Sequence, residues 1–546
     1  IRASDWSSDV CSSDLFDERG NPFIVIRDQG TKERLKGIEA LRANILAATA
    51  VSSVLKTSLG PRGLDKIIVS PHDEVTVTND GATIMKEMNV EHQVAKLLVD
   101  LSKSMDNEIG DGTTSVVVLA GSILESALSL LDRGLHPLRI AEGFDKACEI
   151  AVKRLEEISE TLDFTMEDHK LLDEVCQTTL NSKIVSRFRN ELASMSIEAV
   201  LRVADMERKD VNLERIKLIS RVGGRLEDTK LLNGLVIDKT WSHSQMSRDV
   251  EDAKVAILTC PFEPPKPKTK INVTISTAEE YAQLHKQEQE YFIQQVEKLK
   301  EAGATAVMCQ WGFDDEANHL LMMNKLPAVR WVLGGDIEKL AITTGARIIQ
   351  RFEDITPEKL GKAKKISEIS FGTSGEHVLL IEAASSEPCV TFLIRGGNKL
   401  MLAEAERSIH DSLCVARNLI RDNHIVYGGG ASEIAAAAAV RKAAENDSTI
   451  HQYAMKAFAS ALERIPQALA ANSGLAPIET VENVKKMQAE TGKTSLGIDA
   501  LFTGTNDMKE QKVIETLHGK CEQFRLATQI AKMVLKIDDV IEDIPL

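Results

Sequence analysis

Residues 108–121 read Glu108-Ile109-Gly110-Asp111-Gly112-Thr113-Thr114-Ser115-Val116-Val117-Val118-Leu119-Ala120-Gly121 (EIGDGTTSVVVLAG), an acid between two glycines that runs straight into an apolar stretch. Glycines let backbone N–H groups come close to an anion. The run that follows predicts a helix over Val116–Leu131, whose first turn would offer free donors at the positive end of its dipole. A phosphate could sit there. Asp111 is a hard oxygen ligand of the kind Mg²⁺ accepts beside phosphate oxygens and waters. Leu59-Gly60-Pro61-Arg62-Gly63 and Asn79-Asp80-Gly81-Ala82-Thr83 have the same texture. Gly and Asp are also ordinary turn residues, so each cluster taken alone also reads as a plain turn.

The chain has 546 residues, several times a typical domain, so two to four hydrophobic cores are expected. Its 43% hydrophobic content suits a folded protein rather than a disordered or fibrous one. A net charge of −16 and only 4% aromatic residues argue against a general electrostatic hold on nucleic acid. The longest apolar stretches, such as Val116–Leu124, are broken by Gly, Ser and Glu125, so no membrane span is expected and the chain reads as soluble. Eight cysteines are scattered without metal-ligand spacing, which favours reduced thiols in a cytosol-like compartment. Residues 1–15 begin without Met and are rich in Ser and Asp; they read as a foreign leader or a disordered tail.

Apolar residues recur at helical spacing over Lys32–Leu59, Val90–Met105, Ser115–Leu131 and Met455–Leu469. Short β-branched runs at Ile24–Ile26, Lys66–Val69 and Val75–Thr78 predict strands or a hairpin beside those helices. The middle differs. Leu235–Asp238, Lys254–Cys260, Thr305–Cys309 and Val329–Leu333 alternate with helical segments, an α/β pattern, and Val378–Glu382 and Val390–Arg395 lead back to helices. Pro261–Lys270 (PFEPPKPKTK) opens onto a charged helical run, Ala278–Ala302, and reads either as a linker with a solvated helix or as a functional protrusion.

Familiar nucleotide signatures fail. Gly492-Lys493-Thr494-Ser495 imitates the end of a Walker A loop, but Met487 stands where its first Gly belongs; Gly110-x-Gly112 meets Ser115 where a dinucleotide fingerprint needs Gly or Ala. His410-Asp411 alone is a polar pair on a helix surface, and Lys183 alone a solvated lysine.

Together, however, TSLGPRGLDK, TVTNDGATI, EIGDGTTSVVVLAG, RSIHDSLCVARN, VYGGGASEI and SLGID closely resemble the group II chaperonins in text, order and spacing, over about Phe16 to Asp539. Within that family VGGRLEDTKLLNG, CPFEPPKPKTK, QWGFDDEANHLL and NKLPAVRW look like one subunit type of the eukaryotic cytosolic chaperonin. The last six residues, Ile541–Leu546, match no tail of that family.

The resemblance implies a multi-domain chaperonin fold: a mainly α equatorial domain from 16–159 and 418–546, a small α+β intermediate domain from 160–229 and 377–417, and an α/β apical domain over 230–376. A helical lid protrusion is implied at about 261–290. It implies ATP/ADP and Mg²⁺ as cofactors. Leu59, Gly60 and Pro61 would form a phosphate loop, with Gly81 beside it. Asp111 would bind Mg²⁺, Gly112, Thr113, Thr114 and Ser115 would line the phosphates, Gly429 and Gly430 would meet the nucleoside, and Asp499 would accept from the ribose. Asp80 and Asp411 would flank the attacking water, and Lys183 would sense the γ-phosphate. The implied function is an ATP-hydrolysing chaperone subunit, cytoplasmic, in a hexadecameric double ring of paralogous subunits with non-native clients including actin and tubulin. A ring scaffold with weak or no hydrolysis and a small-molecule kinase are the competing readings.

Overall fold

The helix that begins in the quoted stretch, Thr113–Asp132, is buried around most of its circumference: Val116 to Leu119 are no more than 2% exposed. Such a helix needs neighbours on every side. They come from both ends of the chain: Ile38–Lys56, Gln93–Glu108 and Pro137–Ile158 from one, His451–Leu462, Arg464–Asn472 and Leu517–Leu535 from the other, with Ala431–Asn446 packed on Pro137–Ile158 and His451–Leu462. One continuous core joins them, with Phe144 and Phe458 in tilted contact at 5.9 Å. The structure is a computed structural model that describes residues 36–70, 75–88, 90, 92–162, 164, 169–263, 275, 277–371, 376–384 and 389–539, with the short paired strands Leu15–Phe16 and Pro22–Phe23.

By length and composition alone, Ile38–Lys56 and Thr113–Asp132 would pass for membrane spans, contrary to the reading from interrupted apolar runs. Burial accounts for the second: 67% of its apolar window lies inside the protein. Gly121 lets the two helices close, because a Cβ there would collide with Ser52.

The middle of the chain forms a six-stranded mixed sheet in the order Ala328–Val329, Ala306–Cys309, Asp249–Leu258, Gly361–Phe371, Glu376–Ala383 and Leu235–Ile237. The first three strands are parallel, and the rest pair antiparallel. This sheet and Ala278–Glu301, Asp315–Met323 and Gly334–Thr344 enclose a second core. A third core is built where Ile216–Val222, Val390–Gly396 and Lys230–Asn233 pair beside the helices Lys170–Leu180, Arg189–Val203 and Lys399–Arg421.

Several predicted elements shift for identifiable reasons. Behind Gly37 at φ 64 a helix starts at Ile38; the part of the expected helix over Lys32–Leu35 lies outside the described residues. The strand expected over Val329–Leu333 stops at Val329, because Trp331 adopts a left-handed φ of 59. The single stripe Met455–Leu469 becomes two helices, His451–Leu462 and Arg464–Asn472; Pro466 cannot donate to Leu462 four residues back, so the ladder breaks there. Lys66–Val69 and Val75–Thr78 are strands as expected and pair antiparallel, Lys66 opposite Thr78 and Val69 opposite Val75. Ile24–Ile26, residues 1–14, most of 261–276 and Ile541–Leu546 lie outside the described residues. The charged helix Ala278–Glu301 starts behind a Thr277/Glu280 capping box, and its buried residues begin only at Phe292.

Phe144→Ala removes a fully buried ring from the shared core and is expected to cost ~3–5 kcal/mol. A lowered urea midpoint relative to the parent checks this; an unchanged midpoint would contradict it.

Candidate functional site

Two helices begin at glycines that supply no side-chain cap, and both beginnings face one cavity. Gly112 (φ 76) opens Thr113–Asp132, and Gly430 (φ 80) opens Ala431–Asn446. First-turn N–H groups have no intrahelical acceptor, so those of Thr113, Thr114 and Ser115 are available to an anion, with the helix dipole adding to the attraction. The cavity has a volume of about 410 Å³.

The other walls come from distant segments. The Leu59-Gly60-Pro61 loop follows the first helix, and Gly60 (φ 87) leaves no room for a side chain against Leu469. Asn472 Nδ2 fixes this loop by donating to the carbonyls of Lys56 (2.9 Å) and Leu59 (2.8 Å). Asp80 caps the helix Gly81–Glu87: its Oδ2 accepts from the Thr83 N–H at 3.0 Å and the Thr83 hydroxyl at 2.8 Å, and Oδ1 accepts from the Thr113 hydroxyl at 3.1 Å. Gly81 lies just behind the wall, where a Cβ would come within 2.7 Å of the Thr114 nitrogen. Asp111 Oδ1 accepts from the Gly112 N–H at 2.6 Å and Oδ2 from the Thr179 hydroxyl at 3.3 Å, which aims the carboxylate without using all its lone pairs.

Lys183 and Asp411 meet across the cavity at 2.7 Å, each side chain no more than 10% exposed. Asp411 rides on Lys399–Arg421 and thus belongs to the third core, whereas Asp80 and Asp111 sit on the first. Burial pushes the Asp411 carboxyl well above its usual range; Lys183 opposes this, and the charges of Asp80 and Asp111 reinforce it. Burial would weaken the Lys183 ammonium, but Asp411 and Asp80 outweigh it and hold its pKa above the ordinary lysine value. Asp80 also feels burial, yet Lys183 and the hydrogen bonds from Thr83 and Thr113 keep it below the usual range. Six acidic residues line the cavity (Asp80, Asp111, Glu174, Asp411, Glu433 and Glu515) against four basic ones (Lys183, Arg189, Lys512 and Lys520), an acidic excess that fits a hard divalent cation. The N–H groups opposite fit the phosphate oxygens such a cation would accompany.

Leu59, Gly60, Pro61, Asp80, Asp111, Gly112, Thr113, Thr114, Ser115, Lys183, Asp411, Gly429 and Gly430 all line this one cavity. Asp499 does not. Its Oδ1 accepts from the Thr503 N–H, the Thr503 hydroxyl and Gln511 Nε2, each at 3.1 Å, and its Oδ2 from the Gly504 N–H at 2.8 Å, so its own loop occupies the carboxylate. Its neighbours Ile498, Ala500 and Leu501 form the wall instead. Gly492, in the Walker-like text, ends the helix Pro477–Thr491 away from the cavity.

Sequence reading missed a charged triad in the same wall, two of its members buried. Lys520 Nζ lies 2.7 Å from Glu433 Oε1 and 2.5 Å from Glu515 Oε2, with Lys520 only 6% exposed. The available signal was a charged residue on an otherwise apolar helix face at 517–535. Asn79 was also missed; its Nδ2 donates to the Ser182 carbonyl at 2.5 Å and ties the Asp80 loop to the Lys183 segment.

The TCP-1/cpn60 chaperonin family model matches residues 51–545. T-complex protein 1 subunit epsilon of Encephalitozoon cuniculi is 46% identical over 97% of this chain and 99% of its own length, and epsilon is the subunit type that the middle segments resemble. Thermosome subunit alpha of Archaeoglobus fulgidus is 41% identical over 96% of this chain and 95% of the relative. A thermosome subunit of Methanopyrus kandleri is 40% identical over 95% and 94%. The family model spans every segment that contributes to the cavity, and the chain belongs to the TCP-1/cpn60 chaperonin family.

Proposed function

We propose that this chain is an ATP-hydrolysing subunit of a group II chaperonin, one of a set of paralogues that assemble as a hexadecameric double ring in the cytoplasm. Its clients would be non-native proteins, actin and tubulin among them. The observation that supports this most is the convergence of Asp80, Asp111, Asp411 and Lys183 on a cavity entered by two uncapped helix N-termini.

In this reading the triphosphate of ATP accepts from the N–H groups of Thr113, Thr114 and Ser115 and from the Gly60 loop. Asp111 would hold Mg²⁺, which when bound would neutralise charge developing on the phosphoryl oxygens. Asp411 takes a proton from the attacking water, and Asp80, fixed by Thr83 and Thr113, orients that water from the other side. The raised pKa of Asp411 suits a base. An arriving γ-phosphate would compete with Asp411 for the Lys183 ammonium, so nucleotide would free the base it needs. Because Asp411 and Asp80 ride on different cores, hydrolysis would occur only when those bodies are closed, and ATP would shift open and closed states by its different affinity for each.

Asp411→Ala is expected to retain ATP binding in assembled rings while hydrolysis falls by about 10²–10⁴-fold, the usual span for a general base. Turnover equal to the parent's would instead favour the scaffold reading. Asp111→Ala should weaken ATP binding when magnesium is present, by calorimetry; unchanged affinity would remove Asp111 from the site. The pH profile carries a third test. Asp411 must be unprotonated to act, and its pKa is raised, so kcat should fall as the pH drops through a value above the ~3.9 of a free aspartate. That acid limb should vanish from the residual turnover of Asp411→Ala.

A further inference from the structure

Helix Lys399–Arg421 does more than carry Asp411. Seven residues before it stands Glu404 and seven after it Asn418, so all three share one face, about two helical turns apart. Glu404 is fully buried. Its Oε2 accepts from the Thr78 hydroxyl at 2.8 Å, a contact 326 residues apart in sequence, and from Arg407 at 2.6 Å. Thr78, also fully buried, uses its other hydrogen-bonding capacity to accept from the Asp80 N–H at 3.1 Å. A hydroxyl has one proton, so its donation to Glu404 sets the direction of the chain: Asp80 N–H to Thr78 oxygen, Thr78 hydroxyl to Glu404. At the other end Asn418, 3% exposed, donates from Nδ2 to the Ile109 carbonyl at 2.8 Å, beside the Gly110-Asp111 turn. Arg417 donates to the Glu108 carbonyl at 2.7 Å next to it.

We propose that Glu404 and Asn418 are positioning residues: through Thr78 and Ile109, seating of this one helix sets the Asp80 loop and the Asp111 loop at the same moment that it delivers Asp411. The inference rests on the reading of the cavity as an ATPase site and adds to it how three carboxylates from separate segments are brought into register together. None of the tethering atoms need touch nucleotide. A buried hydrogen bond between two bodies is made only when both are in place, since a carboxylate left unpaired in a closed interface is costly.

The test uses assembled complex. Thr78→Val keeps the side-chain shape and removes both hydrogen bonds. It should lower kcat roughly tenfold or more, the scale on which small misplacements act, with the Kd for ATP nearly unchanged. Thr78→Ser keeps the hydroxyl and should restore kcat. Glu404→Gln, which trades a charged acceptor for a weaker neutral one, should lower kcat in the same direction, and combining it with Thr78→Val should add little, because both act on one tether. Asn418→Ala should instead raise the magnesium concentration needed for half-maximal turnover. Parental kcat in Thr78→Val, a Thr78→Ser variant as slow as Thr78→Val, fully additive losses, or unaltered magnesium dependence in Asn418→Ala would each overturn the proposal. If Thr78→Val does not assemble, Glu404→Gln and Asn418→Ala decide it. If the parent binds ATP without hydrolysing it, the ATPase reading fails, and amide exchange decides this inference separately. Faster exchange at 77–81 in Thr78→Val or Glu404→Gln supports the tether, and unchanged exchange overturns it.

Discussion

A helix buried around most of its circumference leaves chiefly its ends for polar contact, and the end of Thr113–Asp132 that begins at Gly112 has no side chain to cap it. That constraint organises the rest. The first-turn N–H groups must meet water or an anion, and the loops that surround them close in by means of glycine at 60, 81 and 430, where a Cβ would strike Leu469, Thr114 and Pro466. The cavity is therefore a consequence of how the core is packed, and the acidic residues around it are placed by the same loops.

The Lys183–Asp411 pair bears on the balance between rigidity and motion. Taking two charges out of water costs several kcal/mol each, and their attraction recovers this only with good geometry, so a buried pair is weak evidence for stability. Here the two side chains also lie near Asp80, whose charge strengthens the ammonium and raises the proton affinity of Asp411. The arrangement is poised: a new anion near Lys183 changes the protonation preference of the carboxylate beside it. The Glu433–Lys520–Glu515 triad differs. Its lysine lies between two carboxylates, which hold its pKa above the ordinary value, and it ties the start of one wall helix to another.

Much of this was legible in the chain. The paired strands Lys66–Val69 and Val75–Thr78 and the central helix follow from short-range patterns, short β-branched runs in one case and an apolar run behind glycine in the other. The three glycine and acid clusters pointed to phosphate and a hard cation through the chemistry of their residues. Less legible were features whose signal is a lone side chain. Nothing local marks Glu404 as buried, since Ala-Glu-Ala-Glu on a helix is compatible with a solvated face; Asn418 is equally plain. Asp499 shows the converse: a short motif suggested an acceptor, and the turn at 503–504 uses its oxygens locally.

By itself the sequence determined that Val116–Leu131 is helical, that Lys66–Val69 and Val75–Thr78 are strands, and that phosphate-binding chemistry was available, because these depend on neighbours within a few positions. Only the tertiary structure decided that Asp411 stands against Lys183 rather than in solvent, and that one helix face reaches Thr78, Lys183 and Ile109. The physical reason is range. Backbone preference and periodicity act over one or two turns, whereas a carboxylate's burial and partners depend on segments up to hundreds of residues away, whose approach is set by packing of entire helices.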